Sequence, residues 1–151
     1  SPAAVTLFSK VYFTKDWYTT NYQPDYPDHI HLVAAMLFAH EMTHVWQWQN
    51  RKETGYHPLK AASEHGGGAD PYLFDIQDQT KFLDFGYEQQ ASIVEEYICC
   101  RALDRDAPRT QRLHDMIAQS FPVARLDQNI LGRAVRLPWD EVEVKGICGK
   151  A

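Results

Sequence analysis

The chain has 151 residues, 44% of them hydrophobic and 13% aromatic, enough apolar material for one domain around a single core. Its formal charge of −5 is scattered, which argues against a nucleic-acid partner, since no basic stripe exists to neutralise phosphates. The longest apolar run, "LVAAMLFA", stops at His40, well short of the roughly 20 residues that a membrane span needs.

The chain opens on "SPAAVTLFSK", with no initiator Met and no signal-peptide pattern, and reads as a single domain cut from a longer or processed protein. Residues 4–13, "AVTLFSKVYF", set Val5, Leu7, Val11 and Phe13 among β-formers and predict a strand or short hairpin. "TKDWYTTNYQPDYPD" follows as a loop. Asp25 or Asp28 is placed to cap a helix there, with Pro27 near its first turn. That helix runs from about Asp28 to about Asn50. Ile30, Val33, Leu37, Met42, Val45 and Trp48 recur on more than one face, as in a central, buried helix. "RKETGYHPLKAASEHGGGADP" is a polar connection with room for one short helix. Its triple glycine, Gly66 to Gly68, lacks the Gly-Lys-Ser/Thr ending and the preceding strand of a phosphate cradle, so it reads as a mobile loop.

"YLFDIQDQTKFLDF", residues 72–85, alternates at Tyr72, Phe74 and Ile76 and turns at Asp78 to Thr80, predicting a β-hairpin. Asp84 can cap the next helix, 87–103, which "DRDAP" ends; a third, amphipathic helix covers 109–121. After Pro122 the tail holds a short helical stretch and a strand in "DEVEVKGI". The class is α+β with helices dominant. Three cysteines, Cys99, Cys100 and Cys148, are too few for a disulfide framework. Buried free thiols in "YICC" are preferred, with a disulfide from Cys148 to Cys99 or Cys100 as the alternative in an oxidising compartment.

"LFAHEMTHVWQWQ", residues 37–49, carries the chemistry. His40, Glu41 and His44 form H-E-x-x-H. Residues four apart lie about 40° apart around a helix and one turn along it, so both imidazoles can converge on a zinc ion at about 2.0–2.1 Å. Glu41, rotated about 100° from His40, can reach a water on the metal and take its proton as that water attacks a carbonyl. Random placement of the chain's histidines and glutamates would give the pattern with a probability of about 2%, so chance is the weaker explanation. Context weakens it further, since three ionisable groups in a buried helix are costly unless a partner satisfies them.

The third ligand must come from elsewhere. His57 and His65 lie in loops downstream; Glu88, Glu95 and Glu96 lie on the next long helix. The extended three-histidine pattern is absent, because Gln47 stands where its glycine would be. A glutamate from a second helix, as in the thermolysin ligand set, fits better.

"LFAHEMTHVWQWQ" followed by "YLFDIQDQTKFLDFGYEQQASIVEEY" resembles the metallopeptidase domain at the C-terminus of type VI secretion spike proteins, the valine-glycine-repeat trimer of the tail tip. The "VTLFSKVYF" strand fits the same pattern, and the resemblance covers residues 5 to about 98. It implies a zincin-like zinc peptidase toxin, delivered by a secretion machine and acting in the periplasm of a competing bacterium. Its parent spike would be a trimer, and an immunity protein is a possible partner. Carried over residue by residue, it makes His40 and His44 ligands, Glu41 the base and Glu88 the third ligand. Glu88 and Glu95 point the same way but stand about 10 Å apart along a helix, so only one can reach the metal. Glu88 lies in the first turn, followed by the small Ala91 and Ser92. Glu95 could orient His40 or His44 from behind by accepting a ring N–H.

Three functions compete. The first is a zinc endopeptidase acting on a protein or peptide; Tyr72, Tyr97, His65 and His114 are possible oxyanion helpers, though a packed aromatic or surface histidine is the commoner role for each. The second is an amidase for cell-wall peptide cross-links. The third is a binding module braced by zinc, which a closed fourth position filled by His57 or His65 would favour. An intracellular regulatory peptidase is a variant of the first.

Overall fold

The computed structural model describes residues 3–126, 134–140, 143–144 and 146–149. Strands β1 (Ala4–Leu7) and β2 (Lys10–Phe13) pair antiparallel, Ala4 opposite Phe13 and Leu7 opposite Lys10. This is the hairpin expected there, but its faces are reversed. Ala4 and Thr6 are buried, while Val5 and Leu7 are each 45% exposed. The turn sets Phe8 at φ 58°, a conformation that bulky residues avoid; its ring packs edge-on against Trp48 at 4.8 Å.

The long helix starts later than its apolar pattern suggests. His29–His31 form a short strand, β3, and helix α1 spans Leu32–Gln49. Strand β3 pairs in parallel with β4 (Ala134–Arg136), Ile30 opposite Val135. A partner so distant in sequence leaves no local signal. Neither Asp25 nor Asp28 caps α1: its N-cap is His31, and Asp25 accepts a hydrogen bond from the His31 ring at 2.6 Å. Pro27 follows a cis bond from Tyr26 and lies before the helix, not in its first turn. Nor is α1 apolar inside. Its buried residues are Leu32, His40, Glu41, Thr43, His44, Val45 and Gln47, whereas Phe38 and Met42 are 42% and 40% exposed.

The polar connection holds two short helices, α2 (Arg51–Thr54) and α3 (Pro58–Glu64). Gly55 ends α2 in the left-handed region at φ 69°, and the His57 ring caps α3 by accepting the Leu59 N–H at 3.2 Å. Over 72–85 no strand forms; the segment is a run of turns closed by a 3-10 turn at Phe82–Asp84. The Asp70 and Asp75 carboxylates accept backbone N–H bonds from Tyr72 and Gln77. Such local bonds compete with a strand ladder.

Helix α4 (Tyr87–Leu103) has the expected bounds, but Gly86 and not Asp84 stands at its N-cap. Helix α5 (Pro108–Ala118) opens on proline and stops short of 121. The strand expected in "DEVEVKGI" is not seen: 143–144 and 146–147 are not in a strand, and 141, 142 and 145 lie outside the described residues. Among the described residues no helix follows Phe121.

Cys100 and Cys148 are joined in a disulfide and Cys99 is free, which corrects the expectation of three thiols. Neighbours on a helix point about 100° apart, so "CC" hides one inward and one lateral side chain. Cys100 is 1% exposed and sits in the main core with Phe82, Ile93, Leu113 and Ile117. Trp46 of α1 closes this core against Phe121 at 4.3 Å. The fold is α+β and mainly helical, with five α-helices and two two-stranded sheets among the described residues. None of those helices is long and apolar enough to cross a membrane.

Candidate metal centre

Helices α1 and α4 pack together and bring His40, His44 and Glu88 to one point. The Nε2 atoms of His40 and His44 each lie 3.2 Å from Glu88 Oε2. All three residues are buried, and one ligand atom from each falls within 4.8 Å of the others. Donor atoms about 2.0–2.1 Å from one tetrahedral ion stand roughly 3.3–3.4 Å from each other, close to these separations.

The outer ring nitrogens are already committed. His40 Nδ1–H donates to Glu95 Oε2 at 2.9 Å. His44 Nδ1–H donates to Gln47 Oε1 at 2.8 Å. The direction of this second bond is set by a relay. Gln90 Nε2 donates to the Phe85 carbonyl at 2.9 Å, and Gln47 Nε2 donates to Gln90 Oε1 at 2.9 Å and to the Tyr87 carbonyl at 3.0 Å. Carbonyls only accept, so Gln47 must turn its oxygen to His44. Both neutral imidazoles therefore present an Nε2 lone pair to a carboxylate oxygen. Three acceptors converging in a buried place need a cation among them, a proton or a metal ion. Two imidazoles and a carboxylate, each supported from behind, fit a zinc ion.

Without a metal the proton takes that place. Burial opposes the charged form of His40, yet hydrogen bonds to Glu88 and Glu95 raise its pKa from 6.5 to about 9. Burial works against the Glu88 carboxylate too, but the two imidazoles hold it well below the usual carboxylate range. The N-terminus of α4 helps position Glu88, since Glu64 of α3 accepts the Tyr87 and Glu88 backbone N–H groups at 2.8 and 3.0 Å. Gln89 Oε1 accepts the Gly86 N–H at 2.9 Å.

Glu41, 6% exposed, accepts a hydrogen bond on Oε2 from Thr6 Oγ1 at 2.6 Å. Strand β1 thus lies beside His40, His44 and Glu88 and forms one wall of a cleft of about 400 Å³. His40, Glu41, His44 and Glu88 line it, with Tyr56, His65 and Tyr72 around them. The Tyr56 ring stacks on His44 at 5.9 Å; burial and the Glu88 charge push its pKa upward. The same two causes raise Tyr72 to about 12, so both phenols keep their protons and face the cleft as donors. His65 donates to the outer oxygen of Glu88, Oε1, at 3.2 Å.

The other residues singled out in the sequence lie elsewhere. His57 caps α3 beside Phe8 and Trp48. Glu96 accepts two bonds from Arg109, at 3.0 and 2.7 Å. Tyr97 is buried in the main core, its oxygen accepting from Arg101 at 2.7 Å, with His114 beside it; neither lines the cleft. Thr6, Gln47, Tyr56 and Glu64 were not foreseen. Gln47 alone carried a local signal, three residues after His44 on one helix face. The other three are brought in by tertiary packing.

Compared with protein-family models, curated proteins and solved structures, the chain matches none.

Proposed function

We propose that this chain is a zinc-dependent metallopeptidase domain of zincin-like type, with His40, His44 and Glu88 as the metal ligands and Glu41 as the base. One observation carries the proposal: two imidazole Nε2 atoms and a carboxylate oxygen meet, all as acceptors, with both Nδ1–H groups held from behind. Bound there, zinc would polarise a carbonyl and acidify a water molecule. Glu41 takes the proton of the attacking water and passes it to the leaving amine. Thr6 occupies Glu41 Oε2 and leaves Oε1 for that transfer. Glu95 and Gln47 orient the two imidazoles. Tyr56 and Tyr72, which line the cleft, are the donors for a developing oxyanion, while His65 is committed to Glu88.

The resemblance to spike-borne peptidases extends the proposal to an antibacterial toxin domain of type VI secretion, carried on a spike trimer, acting in the periplasm of the target cell and countered by an immunity protein. The substrate is a protein or peptide; cell-wall cross-links are the alternative. A zinc-braced binding module is kept as a second reading because His65 stands on the outer oxygen of Glu88.

Zinc titration with unfolded protein and purified peptidoglycan as parallel substrates tests these. Glu41→Ala should keep stoichiometric zinc and lose hydrolysis. A variant that loses its metal would make Glu41 a ligand, and a zinc-loaded wild type inert on both substrates would leave the binding module.

A further inference from the structure

The cleft does not end at the metal ligands. A second cavity of about 520 Å³ opens on the other side of His40 and Glu41 and shares them, with Ala4 and Tyr72, with the first. Its walls have a different chemistry. Val33, Met36 and Leu37 line it from α1. They precede His40 by seven, four and three residues, so they form one stripe of the helix leading away from that ligand. Trp17, from the loop after β2, and Trp139, just after β4, bring their indoles to the same space and are 45% and 60% exposed. Two carboxylates line it: Glu41, which also lines the first cavity, and Glu95, bonded to His40 at 2.9 Å. Apart from these two, His40, Tyr72 and Ser92, the lining is apolar.

We infer that this chamber is the subsite for a large apolar side chain, aromatic or long aliphatic, of the residue flanking the bond that is cut. The inference rests on the proposed peptidase and specifies its substrate. An extended chain laid across His40 and Glu41 must send a neighbouring side chain into one of the two cavities. Burying a Phe or Leu against these walls takes its apolar surface out of water, and two indoles add ring contacts. A small side chain would leave apolar surface wet. An acidic one would meet Glu41 and Glu95 and find no Lys or Arg among the described residues lining the chamber.

Two measurements test it on the full chain loaded with zinc. The first is cleavage of quenched-fluorescent peptides that differ only in the residues flanking the scissile bond: Phe, Leu, Ala, Lys or Asp. Phe and Leu should exceed Ala by about 10- to 200-fold in kcat/KM. Met36→Trp, which fills the chamber, should bring Phe down to the level of Ala and leave zinc affinity native. Equal rates for all five, or a preference for Lys, would overturn the inference. The second measurement needs no turnover. N-acetylphenylalaninamide is titrated into protein carrying labelled methionine methyls. The Met36 methyl should shift, while Met116, buried in the main core, should not. If no peptide is cut and Met36 still shifts, the subsite stands and the peptidase falls. If Met36 does not respond, the subsite falls whatever the activity.

Discussion

On the proposed assignment zinc and a proton compete for His40, and this fixes how the protein should respond to pH. In the metal-free protein its pKa is raised from 6.5 to about 9 by Glu88 and Glu95, against burial. A raised folded-state pKa contributes stability that is full below the unfolded value and is lost as pH rises through the folded value. The contribution is therefore complete at about pH 6.5, fades across the interval to about 9, and is absent above it. The shift corresponds to about 3 kcal/mol, an interaction shared with Glu88 and counted once. Glu88 adds the opposite limb, since its lowered pKa contributes stability above 4.5 that disappears in strong acid. Metal-free protein should thus be most stable between about pH 4.5 and 6.5 and should weaken toward 9. Zinc must displace the His40 proton, so its apparent affinity should rise about tenfold per pH unit up to about 9. Thermal melts with and without zinc, at half-unit steps from pH 6 to 9.5, measure both trends. The gap between the two melting curves should widen with pH. A zinc affinity flat over this interval, or metal-free stability that climbs through it, would refute the arrangement around His40.

The remaining expectations concern single side chains. Glu88→Gln should abolish tight zinc binding, while Glu95→Gln should weaken it by about 10- to 100-fold; chelator competition ranks the two, and the reverse order would make Glu95 the ligand. Thr6→Val should lower kcat with KM and zinc affinity unchanged and Thr6→Ser should restore it, because the hydroxyl holds Glu41 at 2.6 Å without touching the metal ligands; a Thr6→Ser variant as slow as Thr6→Val would remove Thr6 from the site. Reducing the Cys100–Cys148 bond should cost about 4 kcal/mol for a separation of 48 residues, roughly 10 °C in Tm. Thiol titration of denatured, unreduced protein should find Cys99 alone, and three reactive thiols would exclude the bond.

What could be read before folding divides along a physical line. His40 and His44 were legible because one helix turn fixes their spacing by covalent geometry, and Glu41 came with them. Helix phase alone left Glu88 as one of three glutamates on α4, since it cannot distinguish Glu88 from Glu95; the first-turn position and the family resemblance singled it out. It is the packing of α1 on α4 that puts Glu88 Oε2 at 3.2 Å from both rings and Glu95 behind His40. Expectations failed where a local pattern competed with distant partners. His29–His31 read as helix because nothing nearby announces β4. Residues 72–85 alternate like a hairpin, yet Asp70 and Asp75 turn the backbone into local bonds, and Ile76 and Phe82 go to the core instead. The apolar surface of α1 misled for a reason that lies in the candidate site. A helix that must hold two imidazoles and a carboxylate inside has to bury His40, Glu41, His44 and Gln47. Its Phe38 and Met42 are then turned outward, so the exposed apolar side chains and the buried polar ones follow from the same requirement.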